Sequence, residues 1–162
     1  MTQKSFLDKY SGQTLAELLA LTDTYREDSI ILAIEQALQS KAPADVAPSE
    51  RVVLAVEALE REVNNGGYNQ FFVNEPTYAR DIVAALTQIG CPEIARITRD
   101  ATDVLGLRPD WTDEQIQAAA ADMADDGDER LGQLDHQFFE YPEPIEERLL
   151  TFVRANAAEI RL

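Results

Sequence analysis

Asp122, Asp125, Asp126 and Glu129 follow one another at i, i+3, i+4 and i+7, the spacing that sets side chains on one side of an α-helix. Glu143, Glu146 and Glu147 repeat the first three of those positions, in what reads as the opening turn of a last helix, where the macrodipole tolerates negative charge. Carboxylates four residues apart on a helix stand about 6 Å apart along its axis. One strand of duplex DNA presents a phosphate every ~3.4 Å, so two or three such helices side by side would approximate its charge density. A DNA-binding surface can accept that as a substitute. With Asp103, Asp113, Glu114 and Asp128, these acids are the candidate partner-binding residues. The plainer reading is a solvated face that keeps the protein soluble, and on residue types alone it is the default. Like charges at i, i+4 oppose a helix by only roughly 0.2–0.5 kcal/mol per pair, which by itself demands no function.

The charge around these residues is uneven. The chain holds 30 Asp and Glu against 14 Lys and Arg, a formal net charge of -16. Residues 110–147 hold 13 of the acids and only Arg130, a net of -12. Residues 1–109 hold 16 acids and 10 bases, and the tail is mildly basic. Such a field repels nucleic acid and anionic membrane surfaces and attracts basic proteins, which argues against direct DNA binding or surface anchoring. The apolar fraction of 45% is too high for a disordered polyanion, and 162 residues suffice for one self-supporting core. Cys91 has no second cysteine to pair with, MTQKSFLDKY does not read as a secretion leader, and no apolar run suits a membrane span. The cytoplasm is the expected compartment.

Other chemistries fit poorly. With Gly127 at the sixth position of a calcium loop, Asp122 and Asp126 fall first and fifth, but Ala124 takes the third position and Gln133 the bidentate twelfth. Soft and imidazole metal ligands are limited to Cys91 and His136. A nucleophilic triad would need those same two residues to meet by tertiary placement. His136 lies opposite the Leu131, Leu134, Phe138 stripe and is expected to be exposed. Cys91, between Gly90 and Pro92, reads as a small packing residue with nothing nearby to activate it. No Gly-rich phosphate loop is present, and neither an enzyme nor a cofactor is indicated.

The elements that must position the acids are helical from end to end, so the fold class is all-α, a single domain of about eight or nine helices. Leu15, Leu18 and Leu19 mark a short first helix, and Ile30, Ile31, Ile34 and Leu38 a second. SKAPADVAPSE reads as an interhelical loop. Val52, Val56, Leu59 and Val63 form one stripe of a helix whose first free amides Ser49 can cap. Pro76 opens a helix burying Ile82, Leu86 and Ile89 and ending at Gly90; Pro92 opens the next, with Ile94, Ile97 and Leu105, ending at Gly106. Thr112 and Gln115 have capping-box spacing, so a helix begins near Asp113. Gly127 is a candidate interruption. Leu131, Leu134 and Phe138 mark a further helix, and Ile145, Leu149, Phe152, Val153 and Ile160 a long last one.

One local motif stands apart, EVNNGGYNQFFVN from Glu62 to Asn74. Read structurally, it is a helix stop at Gly66 and Gly67, then a short helix burying Tyr68, Phe71 and Phe72 while its Asn and Gln side chains bond free backbone groups. Read functionally, Asn65, Tyr68, Asn69, Gln70 and Asn74 form a polar site. The structural reading is favoured. The acidic residues before NNGGYNQFF and the Asn after it resemble the signature of a bacterial all-helical family first catalogued as a domain of unknown function, one branch of which is the DMP-type DNA-mimic protein. The resemblance implies a protein that presents carboxylates in place of phosphates to a DNA-binding protein, with a helix-turn-helix transcriptional repressor as partner, and blocks operator binding by competition. The motif bears on the fold family, and mimicry rests on the acidic surface. Two other readings stand beside it: an acidic inhibitor of another basic protein such as a nuclease or toxin, and a ligand-binding protein or enzyme built around Asn65, Tyr68, Asn69 and Gln70. A homodimer extending the acidic surface is compatible with the first.

Overall fold

Local hydrogen bonds start the helices where the sequence supplies acceptors. Thr14 Oγ1 accepts from the Glu17 amide at 3.2 Å and the Glu17 carboxylate accepts from the Thr14 amide at 2.8 Å, a capping box that opens α1 (Leu15–Ala20). Thr112 and Gln115 form the second such box, opening α6 (Asp113–Ala121). In the computed structural model, which describes residues 3–162, the remaining helices are α2 (Glu27–Gln39), α3 (Pro48–Asn74), α4 (Ile82–Gln88), α5 (Pro92–Leu105), α7 (Asp125–Phe139) and α8 (Ile145–Ala155). Single 3-10 turns occupy Leu21–Asp23, Pro43–Asp45, Pro76–Tyr78 and Ala157–Glu159. The fold is all-α, and among the described residues there is no strand, only an isolated bridge between Ser5 and Tyr25. Met1 and Thr2, the start of the decapeptide read above as no leader, lie outside the described residues.

Several boundaries differ from the sequence expectation. Ser49 does not cap α3; its hydroxyl donates to Glu159 Oε2 at 2.5 Å, and Glu50 reaches back to the Ala47 amide at 2.9 Å instead. Pro76 opens only a 3-10 turn, and α4 begins at Ile82. Gly127 lies inside α7 without interrupting it, while the real break falls earlier, with Asp122 as the C-cap of α6. Helix α8 ends at Ala155, so Ile160 is buried beyond it, not on it.

Contacts divide the chain into two compact units, Met1–Glu57 with Ile145–Leu162, and Ala58–Pro144. In the first, α2 packs on α1 and α8 through Leu18, Ile30, Ile31, Ile34, Leu149 and Val153, all buried. Its polar centre is Glu50, fully buried, which accepts from Lys41 Nζ at 2.7 Å and from the Arg161 amide at 2.8 Å. Burial pushes the Glu50 carboxyl up, but these donors and the Ala47 amide outweigh it and hold the group below its ordinary value.

In the second unit α5 packs on α4 and α7 over a core of Tyr68, Phe71, Phe72, Ile82, Leu86, Ile94, Leu131 and Phe138. Burial pushes the Tyr68 hydroxyl well above its ordinary value, and it shares a hydrogen bond with Thr98 Oγ1 at 2.8 Å. As the sequence predicts, the first stretch of α3 stops at the paired glycines and a second, burying Tyr68, Phe71 and Phe72, follows. The break lies at Gly67, which has φ 84° and ψ -179°, a region open essentially to glycine alone. The Tyr68 amide, left without a helical acceptor, donates to Asp135 Oδ1 on α7 at 2.8 Å. The carboxylate lies so close that a Cβ on Gly67 would sit 2.3 Å from Asp135 Oδ2. Gly67→Ala therefore meets both a forbidden backbone conformation and a steric clash. It should lower unfolding free energy by at least roughly 1–3 kcal/mol, measured by urea denaturation; an unchanged midpoint would show that the break relaxes freely.

Candidate partner-binding surface

The motif residues are committed to holding the broken helix. Gln70 Nε2 and Asn74 Nδ2 both donate to Glu62 Oε2, at 2.9 and 2.8 Å, so they span the break to a carboxylate and not to free backbone groups as expected. Asn69 Nδ2 donates to the Ala120 carbonyl at 2.9 Å and to Asp128 Oδ1 at 3.2 Å. It thereby ties the end of α6 and the start of α7 to the restarted half of α3. Gln117 adds a bond to the Val73 carbonyl at 2.8 Å. Tyr68, Asn69 and Gln70 each bond a different partner, and Asn65 is exposed on the turn before the break.

Held this way, α6 and α7 present most of the predicted acids. Asp122, Asp125, Asp126 and Glu129 are exposed, as are Glu114 on α6 and Asp103 on α5. Among the described residues, no hydrogen bond or ion pair takes up the side chains of Glu114, Asp122, Asp125, Asp126 or Glu129. Only Asp125, Asp126 and Glu129 of the expected run share a helix; Asp122 ends the one before. Asp125, Asp126 and Asp128 occupy the first turn of α7, where the unpaired amides and the macrodipole favour anions.

The other predicted residues are engaged elsewhere. Asp113 accepts from Arg80 Nη2 at 2.5 Å, and Asp128 from Asn69. Glu143 is not in the first turn of α8. It precedes that helix and caps α5, accepting from the amides of Glu93 and Ile94 at 3.2 and 3.0 Å. Glu146 and Glu147 do lie on α8, in the other compact unit. Glu147 is exposed, while Glu146 is half-buried, and burial together with the Asp28 carboxylate pushes its carboxyl above the ordinary value.

Sequence reasoning passed over Asp100. It pairs with Arg96 at 2.9 Å and, with Asp103, Val104, Arg130, Gln133, Leu134 and Gln137, lines a groove of about 330 Å³ between α5 and α7. The i, i+3 relation of Asp100 to Asp103 was the available signal. His136 is exposed as expected, and Cys91 is fully buried.

A family model of DMP19-like proteins matches residues 44–156. The chain belongs to the DMP19-like family. That is a family of DNA mimics, in line with the resemblance carried by Glu62 to Asn74. No curated protein and no solved structure matches the chain. Among the described residues, no helix is long and apolar enough to cross a membrane.

Within this DMP19-like chain the Glu62 carboxylate is the hub of the motif. Burial pushes its carboxyl up, and the Asn74 and Gln70 amides with the Arg61 guanidinium outweigh that and hold it below 4.5, its ordinary value. A depressed carboxyl contributes stability above its unfolded value and loses it as pH falls through the folded one. Glu62→Gln is therefore expected to destabilise the protein near neutrality, with the gap to wild type narrowing below pH 4.5. Urea denaturation across that range checks it, and a gap that does not change with pH would remove Glu62 ionisation from the account.

Proposed function

We propose that this protein is a DNA mimic that acts in the cytoplasm by binding a DNA-binding protein, with a helix-turn-helix transcriptional repressor as the partner, and that it blocks operator binding by competition. The observation that carries the reading is that a member of a DNA-mimic family leaves Asp122, Asp125, Asp126 and Glu129 exposed and, among the described residues, without partners of their own, around the start of one helix. Asp103 and Glu114 extend the acidic surface. Asp113 has no place in this set, since Arg80 already holds its carboxylate; Glu143 is likewise withdrawn by capping α5.

The mechanism is electrostatic. Arg and Lys side chains that would neutralise phosphates meet carboxylates instead, and the complementary fields speed encounter. Exposed charge pairs are screened over about 8 Å at physiological ionic strength, so binding weakens as salt rises. The protein replaces DNA without having to reproduce a base sequence, because the basic surface responds first to charge.

The test is capture from a bacterial lysate on the immobilised protein at low and moderate salt, with duplex DNA as competitor. The reading expects a helix-turn-helix protein, released by salt and displaced by DNA. Recovery of a nuclease or toxin would favour an acidic inhibitor of that class instead. The double substitution Asp125→Lys with Asp126→Lys should abolish capture while circular dichroism shows the helices intact; retention of full binding by that variant would sink the assignment of α7.

A further inference from the structure

Helix α7 has two dissimilar faces. Leu131, Leu134 and Phe138 are buried, and Asp135 lies against Gly67. Asp125, Glu129, Gly132, His136 and Phe139 follow at i, i+4, i+7, i+11 and i+14, one stripe on the opposite side. The four side chains of that stripe are exposed. It begins with carboxylates and ends with Phe139, a large apolar side chain 50% exposed. The His136 ring meets Phe139 edge to face at 6.4 Å.

Gly132 lies in the middle of the stripe, and the chain's own packing does not account for it. Its φ is not positive, and a Cβ there would meet nothing within 4 Å. A glycine inside a helix destabilises it relative to alanine, and among the described residues nothing near this position would exclude a Cβ. A bare stretch of backbone does suit the close approach of a second helix, because the side chains at the contact set the separation of two packed helices.

We infer that this stripe receives a basic helix of the partner, crossing α7 at Gly132, with Arg or Lys side chains on Asp125 and Glu129 and an apolar side chain on Phe139. The inference rests on the DNA-mimic reading and adds to it a contact that DNA phosphates do not offer, an exposed aromatic ring beyond the acidic end. Charge complementarity selects this occupant: a chain of net charge -16 attracts a basic helix and repels a second copy of itself.

The experiment compares wild type with Gly132→Ala, Gly132→Gln and Phe139→Ser in capture of the DNA-displaceable protein, alongside thermal unfolding and sedimentation velocity of each variant. Gly132→Ala should raise Tm by about 2–4 °C and yet weaken capture, a combination that a purely structural glycine would not give. Gly132→Gln should weaken it by about tenfold or more, and Phe139→Ser should also reduce it. If the Lys variants of Asp125 and Asp126 lose capture while all three stripe variants bind as wild type does, this inference is overturned and the mimic reading survives. If wild type captures nothing, both fall. A wild-type dimer dissociated by Gly132→Gln would assign the stripe to a second copy and overturn the choice of occupant.

Discussion

Where α3 breaks at Gly67, the amide of Tyr68 loses its helical acceptor, and the burial of Tyr68 leaves little opportunity for water to replace it. The Asp135 carboxylate supplies the missing acceptor from α7. Burial pushes that carboxyl above its ordinary value even though the Tyr68 amide opposes the shift, so the contact holds a carboxylate where desolvation disfavours its charge. Gly67 makes it sterically feasible, since any side chain there would occupy the space of the carboxylate. With Asp135 turned inward, the helical repeat sends Leu131, Leu134 and Phe138 to the core and Asp125 and Glu129 to solvent. That hydrogen bond and the burial of Leu131, Leu134 and Phe138 together fix which carboxylates of α7 face solvent.

The acids of this protein divide into two populations with different physics. Glu50 and Glu143 accept from backbone amides at helix starts, and Glu62 accepts from side-chain amides that bridge the break in α3. Glu114, Asp122, Asp125, Asp126 and Glu129 are exposed and keep their hydration. A carboxylate already satisfied inside the chain offers little to an incoming guanidinium, whereas an exposed one exchanges water for a charged donor. Net charge alone does not separate the two groups.

Concentrating negative charge disfavours a compact state, and the placement here moderates the effect. Acids occupy the first turns of α6 and α7, where helix amides favour them. Arg80 and Arg96 engage Asp113, Glu93 and Asp100 around the same unit. The surface is thereby kept acidic on helices whose cores remain ordinary Leu, Ile and Phe packing.

The all-α class, most helix stripes, the stop at Gly106 and the Thr112 capping box were legible in the sequence, because 3.6-residue periodicity and side-chain caps are local physics. The capping box at Thr14 and Glu17 was equally local. The regional charge of residues 110–147 and the Glu62 to Asn74 motif were also legible, the one from composition and the other from residue types. The sequence could not tell that Ser49 would bond Glu159, that Glu143 would leave α8 to cap α5, or that the Tyr68 amide at the restart of α3 would find Asp135. Each depends on an acceptor or donor tens of residues away, brought near only when the helices pack. Composition and periodicity by themselves determined an acidic helical protein; tertiary structure decided which carboxylates serve the fold and which face water, because a hydrogen bond is made by neighbours in space and not in sequence.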